Sequence, residues 1–163
     1  MYYKLQTLQL ESNNKCLEGN RFDPDSTLAG AAFMDDCADV TGQNWKFVEE
    51  DKANSPGYYK LQTQFLEFQN KCLEGNVLAP NNTLAGAAFM DDCANVTGQY
   101  WKLIEFDSET ITGYFQLVTL LSESRSECLE GNSLGETSTL DGASFMADCT
   151  NFTGQIWKVI AQP

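Results

Sequence analysis

The feature that most constrains this chain is a repeat of 56 residues that runs through it without insertion or deletion. Cysteines fall at 16, 37, 72, 93, 128 and 149, so the spacing inside each pair is 21 and the step between pairs is 56. Other landmarks move by the same step. Tyr2-Tyr3-Lys4-Leu5-Gln6-Thr7 returns as Tyr58-Tyr59-Lys60-Leu61-Gln62-Thr63, and more loosely as Tyr114-Phe115-Gln116-Leu117-Val118-Thr119. Cys16-Leu17-Glu18-Gly19-Asn20 returns unchanged at 72–76 and 128–132. Residues 2–46 and 58–102 differ at only 11 of 45 positions, while the third copy has drifted further.

Three copies of one unit either stack as an open solenoid or close into a ring. A solenoid needs atypical terminal units, because its end faces are otherwise exposed. Here the first and last units resemble the middle one, so closure is expected. The units span about 1–56, 57–112 and 113–163, together one domain over 1–163. The net charge of -13 is shared among all three units and is not an acidic tail.

Within a unit the pattern predicts short strands. Tyr2 to Leu10 alternates in part and is rich in aromatic residues. Cys16-Leu17-Glu18 ends at Gly19-Asn20, a turn signal. Gly30-Ala31-Ala32-Phe33-Met34 is a short apolar run, and Gln43 to Val48 alternates polar with apolar. Asp23-Pro24-Asp25, Thr41-Gly42 and Asn54-Ser55-Pro56-Gly57 punctuate the runs. No window holds a capped apolar period of the helical kind. Four strands per unit predict an all-β chain of twelve short strands in three pseudo-threefold repeats. That is a β-trefoil, a six-stranded barrel capped by three hairpins.

Composition removes several chemistries. The chain has no histidine, which excludes Ser-His and Cys-His nucleophile pairs and histidine-ligated zinc or copper. Its negative field repels phosphate backbones, so no nucleic-acid partner is expected. No apolar run is long enough for a transmembrane helix. The start, Met1-Tyr2-Tyr3-Lys4, has no apolar signal region, so either the protein is not exported or a leader has been removed.

Each unit closes on Gln-x-Trp: Gln43-Asn44-Trp45, Gln99-Tyr100-Trp101 and Gln155-Ile156-Trp157. Each carries Cys-Leu-Glu upstream and a second cysteine shortly before the Gln. Over its whole length the chain resembles the ricin B-type β-trefoil lectins, with their triple Gln-x-Trp signature and one disulfide per repeat. The resemblance implies a shallow sugar site in each unit, where an acidic residue two positions after the first cysteine grips sugar hydroxyls. That position is Glu18, Glu74 and Glu130. It also implies an aromatic residue just before the second cysteine and an Asn before the Gln. This chain has Phe33-Met34-Asp35-Asp36-Cys37, its copy at 89–93 and Phe145-Met146-Ala147-Asp148-Cys149, with the aromatic out of its usual place, and Gly42, Gly98 and Gly154 before the Gln.

The residues themselves carry competing readings. Trp45, Trp101 and Trp157 are expected in the core, each contributing about 3–5 kcal/mol against Ala. Gln43, Gln99 and Gln155 are expected to bond backbone and support a site rather than touch ligand. The cysteine pairs Cys16/Cys37, Cys72/Cys93 and Cys128/Cys149 fit three disulfides in an oxidising compartment, or three buried thiol pairs in a cytoplasmic protein. The first places the protein outside the cell, the second inside.

Glu18-Gly19-Asn20, Glu74-Gly75-Asn76 and Glu130-Gly131-Asn132 are the leading site candidates. Carboxylate and amide together bind vicinal hydroxyls, whereas the competing reading is a locked turn. Asp35-Asp36, Asp91-Asp92 and the reduced Ala147-Asp148 would assist, or would hold calcium, the one candidate cofactor. Against that stands simple solvated charge. Tyr100 is a candidate stacking ring. Asn81-Asn82-Thr83, Asn95-Val96-Thr97 and Asn151-Phe152-Thr153 match the glycosylation acceptor pattern.

Three near-identical shallow sites argue against an enzyme, which concentrates one perturbed constellation in one cleft. The expected function is therefore a non-catalytic carbohydrate-binding lectin, multivalent toward glycans or glycoconjugates on cell surfaces. Two alternatives remain. One is a non-lectin trefoil interaction module, such as a protease inhibitor or a toxin targeting domain. The other is an engineered symmetric trefoil without a selected ligand.

Overall fold

A computed structural model describes residues 1–19, 31–49, 57–75, 88–106, 112–131 and 144–163. Among the described residues there are twelve strands. Six form a closed barrel: β1 (Tyr3–Thr7), β4 (Trp45–Glu49), β5 (Tyr59–Thr63), β8 (Trp101–Phe106), β9 (Tyr114–Thr119) and β12 (Trp157–Ala161). Around the barrel they run β1-β12-β9-β8-β5-β4. The other six make three hairpins: β2 (Lys15–Glu18) with β3 (Phe33–Asp36), β6 (Lys71–Gly75) with β7 (Ala88–Asp92), and β10 (Glu127–Gly131) with β11 (Ser144–Asp148). The first strand pairs with the last, Leu5 opposite Val159, so the ring of units closes. This is the all-β trefoil expected from the repeat.

The core follows from period-two alternation. Trp45, Trp101 and Trp157 point into the barrel and are fully buried, as are Leu5, Leu61 and Leu117. Each indole Nε1 donates to a hairpin carbonyl: to Leu17 at 2.8 Å, Leu73 at 2.8 Å and Leu129 at 2.9 Å. The tryptophans therefore weld each hairpin to the barrel as well as filling it. Close approach explains the glycine after the Glu. A Cβ on Gly75 would lie 2.9 Å from Cη2 of Trp101 and 2.8 Å from Sδ of Met146. Met146 belongs to the next unit, so the cap packs unit against unit. Around the same axis the Ala32 amide donates to the Ala88 carbonyl at 2.8 Å, and the Ser144 amide to the Ala32 carbonyl at 2.7 Å.

Strand boundaries depart from the sequence reading in three places. The first strand stops at Thr7 and does not reach Leu10, because Thr7 Oγ1 accepts the Leu10 amide at 3.2 Å and turns the chain. Gln43 lies in a 3-10 turn, Thr41–Gln43, and the strand begins at Trp45. The strand placed at Gly30–Met34 falls instead at Phe33–Asp36. One short helix, α1 (Leu120–Glu123), interrupts the third unit. It forms because Thr119 and Ser122 cap each other, the Ser122 amide donating to Thr119 Oγ1 at 3.0 Å and the Thr119 amide to Ser122 Oγ at 2.9 Å.

All six cysteines form disulfides: Cys16–Cys37, Cys72–Cys93 and Cys128–Cys149. Each ties the start of a hairpin to the residue following it. Among the described residues, no helix is long and apolar enough to cross a membrane.

Candidate functional site

The hairpin register sorts the candidate residues onto two faces. Glu18 stands opposite Phe33, Cys16 opposite Asp35, and Leu17 opposite Met34. Directly opposed residues share a face, and faces alternate along a strand. Leu17 and Met34 are buried in the core. Glu18, Phe33, Cys16 and Asp35 therefore share the hairpin's outer face. The same register puts Glu74 opposite Phe89 and Glu130 opposite Phe145. These half-buried phenylalanines were absent from the sequence-based candidates. They become visible once Cys-Leu-Glu is read as a strand whose partner supplies the ring.

Glu18 is only 9% exposed. Its Oε1 accepts from Gln43 Nε2 at 2.9 Å. The same amide also donates to the Asp36 carbonyl at 2.8 Å, and Gln43 Oε1 accepts the Ala38 amide at 2.9 Å. A fully buried side-chain amide thus makes three bonds, clamping the hairpin, the segment after it and the carboxylate together. The other units reproduce the clamp: Gln99 with Glu74, the Asp92 carbonyl and the Ala94 amide, and Gln155 with Glu130, the Asp148 carbonyl and the Thr150 amide. The Gln of Gln-x-Trp bonds backbone, and it also grips the Glu side chain. Lys4 further fixes the segment after the hairpin, its Nζ donating to the Ala38 carbonyl at 2.8 Å. Burial lowers the Lys4 pKa.

The aspartates lie at the surface. Asp35 Oδ1 accepts the Asp36 amide at 2.9 Å, a local backbone cap. Lys15 Nζ lies 2.6 Å from Asp36 Oδ1, and this bond raises the lysine pKa. Lys71 and Asp92 repeat that pair at 2.7 Å. In the third unit Ala147 replaces the first aspartate, and Asp148 faces Glu127 where the other units have lysine. Among the described residues, no group of three acidic or cysteine side chains is placed to hold a metal ion.

Tyr100 is 3% exposed. Its hydroxyl donates to Asn95 Oδ1 at 2.5 Å, and Lys60 Nζ sits 5.1 Å from its ring centroid. A ring so enclosed presents no open face for stacking. Phe68, by contrast, is 92% exposed, and Phe65 and Phe152 are also at the surface. Asn20, Asn76 and Asn132 lie outside the described residues, as does Asn81-Asn82-Thr83. Asn95, Thr97, Asn151 and Thr153 are exposed.

No family model and no curated protein matches this sequence. Solved structures do match. A designed threefold-symmetric protein, ThreeFoil, is 23% identical, with 99% of each chain covered and a TM-score of 0.63. SeviL, solved bound to asialo-GM1 saccharide, is 16% identical with a TM-score of 0.63, covering 98% of this chain and 95% of that one. The BEL β-trefoil in an apo crystal form is 9% identical with a TM-score of 0.68, covering 98% and 91%. At these identities the likeness concerns the fold, and over its whole length the chain is a β-trefoil.

Proposed function

We propose that the protein is a non-catalytic carbohydrate-binding lectin of the ricin B-type pattern, with related shallow sites on the outer faces of its three hairpins. The observation that carries this reading is the repeated unit of a buried Gln–Glu clamp under a half-exposed Phe and, in two units, an exposed Asp. A clamped carboxylate is a hydroxyl acceptor of fixed orientation, with its ordering entropy spent on folding rather than on binding. Phe33 and Phe89 offer an apolar surface to the C–H face of a sugar, and Asp35 and Asp91 offer further acceptors. Asn20, Asn76 and Asn132 follow the clamp directly in sequence. The third site lacks the first Asp and is proposed as the weakest.

SeviL, a fold neighbour, is solved with a bound saccharide, which supports a glycan partner for this chain. Three weak sites on one rigid body gain avidity on a glycan-covered surface. Three disulfides support a location outside the cell.

Glycan-array binding of the wild type against Asp35→Ala/Asp91→Ala tests the reading. Both aspartates are exposed and each caps one neighbouring amide, so the double variant should stay folded with a slightly lowered melting temperature while losing most of its array signal. Unchanged array binding by the folded variant would reject the site. A parallel array with EDTA should match the untreated one, because the proposed contacts need no metal.

A further inference from the structure

Two of the glycosylation acceptor motifs fall at the same place in the fold. Asn95-Val96-Thr97 and Asn151-Phe152-Thr153 each begin two residues after the second cysteine of their unit. Each runs into the 3-10 turn that carries the clamp glutamine. The backbone is pinned on both sides of the asparagine. Before it, Gln99 Oε1 accepts the Ala94 amide and Gln155 Oε1 the Thr150 amide, both at 2.8 Å. After it the turn closes, the Gln99 amide donating to the Val96 carbonyl at 3.1 Å and the Gln155 amide to the Phe152 carbonyl at 2.9 Å. Each asparagine is thus an exposed projection held between two anchors.

The middle residue is extended in both motifs, Val96 at φ -119° and ψ 143°, Phe152 at φ -63° and ψ 135°. In extended backbone the side chains flanking one residue point the same way, so amide and threonine hydroxyl are offered to solvent together. Among the described residues neither the Thr97 nor the Thr153 hydroxyl makes a hydrogen bond, and the Asn151 side chain makes none either. At Asn95, Oδ1 accepts the Tyr100 hydroxyl at 2.5 Å. An N-linked glycan is carried on the amide nitrogen, so that bond to the oxygen can persist and orient the side chain. The first unit supplies a built-in comparison. Asp39-Val40-Thr41 has the same extended middle residue, φ -122° and ψ 143°, and the same exposed threonine, but a carboxylate in place of the amide.

We propose that Asn95 and Asn151 are acceptor sites for N-linked glycan. The donor is a lipid diphosphate-linked oligosaccharide, delivered by a membrane-bound transferase of the secretory pathway. Nδ2 of the asparagine attacks the anomeric carbon of the donor. The nitrogen–carbon bond forms, and the bond from that carbon to the phosphate oxygen breaks with its electron pair. The lipid diphosphate leaves, and the amide gives up one proton to a base of the transferase. Disulfide formation needs the same oxidising compartment, so the three cysteine bridges and the two acceptors point to one location. Modification at these turns does not depend on sugar binding at the hairpin faces.

The test is expression of the full chain behind a secretion leader in yeast, followed by peptide mass spectrometry before and after treatment with peptide N-glycosidase. That enzyme converts a glycosylated asparagine to aspartate, so the mass of each peptide reports its own site. Glycan is expected on both Asn95 and Asn151 in most molecules. Thr97→Ala and Thr153→Ala should each lose the glycan of their own motif and keep the other, and both should fold, since neither hydroxyl bonds the rest of the described chain. Asp39→Asn completes the motif in the first unit and should gain a glycan at residue 39. Disulfide-bonded protein, secreted or retained in the lumen, with Asn95 and Asn151 unmodified overturns the proposal. So does modification of either asparagine that survives loss of its threonine.

Discussion

The hydroxyl of Tyr114 donates to both carboxylate oxygens of Glu11, at 2.9 Å and 3.1 Å, across 103 residues of sequence. Its equivalents do the same between the other units: Tyr2 donates to Glu67 at 2.8 Å, and Tyr58 to Glu123. Each unit thus latches onto the next, and the third latches back onto the first. Burial and the hydrogen bond to Glu123 push the Tyr58 phenol up to about 12. The Tyr114 phenol is raised for the same two reasons, with Glu11 as acceptor.

The latch should be measurable as stability. Tyr114→Phe removes a partly buried bond to a charged acceptor and should cost about 1–2 kcal/mol in urea unfolding at pH 8. Glu11→Gln, which keeps an acceptor, should cost less than Tyr114→Phe.

The raised phenol values also fix a direction for pH. An unfolded tyrosine ionises near pH 10, whereas folded Tyr58 holds its proton to about 12. Its stabilising contribution is therefore complete below pH 10 and is lost as pH rises toward 12. The urea midpoint gap between wild type and Tyr58→Phe should be largest at pH 8 and smaller at pH 11. A constant gap would remove the latch as its cause.

The Gln–Glu clamp predicts a larger loss. Gln99→Ala strips the Glu74 carboxylate, the Asp92 carbonyl and the Ala94 amide of their shared partner in a buried site. A cost of about 2–4 kcal/mol is expected. A joint Gln99→Ala/Glu74→Ala variant should lose less than the sum of the singles, because the second change removes the stranded carboxylate.

Gly75→Ala tests the cap. The new methyl meets Trp101, whose indole is pinned to the Leu73 carbonyl, and Met146 from the next unit. Overpacking of this kind should cost about 1–3 kcal/mol, read as a lowered melting temperature. Removing Cys72–Cys93 by a double change to Ala should cost about 3 kcal/mol by the loop-closure estimate.

Much of this fold is legible in the sequence because symmetry multiplies weak local signals. The Trp-Lys-Phe-Val run at 45–48 is ambiguous alone, but with Trp-Lys-Leu-Ile at 101–104 and Trp-Lys-Val-Ile at 157–160 in phase it names a barrel strand. What stayed hidden depends on partners far apart in the chain. Thr7 looks like strand until its hydroxyl captures the Leu10 amide. The pairing of Gln43 with Glu18 spans 25 residues and two elements. That Phe33 faces Glu18 requires the hairpin register, which the sequence between them does not announce. Tyr100 stands beside a conspicuous Trp, yet Asn95 and Lys60 enclose it, and no periodicity of the adjoining strand reports either.

The latches and the shared cap carry a consequence for how such a chain can change over time. In an open array a copy can be gained or lost at either end, and the remaining interfaces survive. Here every unit is both lock and key, and the circle is complete at three. A fourth copy would find no vacancy, and a lost one would expose a seam on both sides. Point substitution within a copy is then the remaining route to novelty, and the uneven drift of the third unit is the mark it leaves.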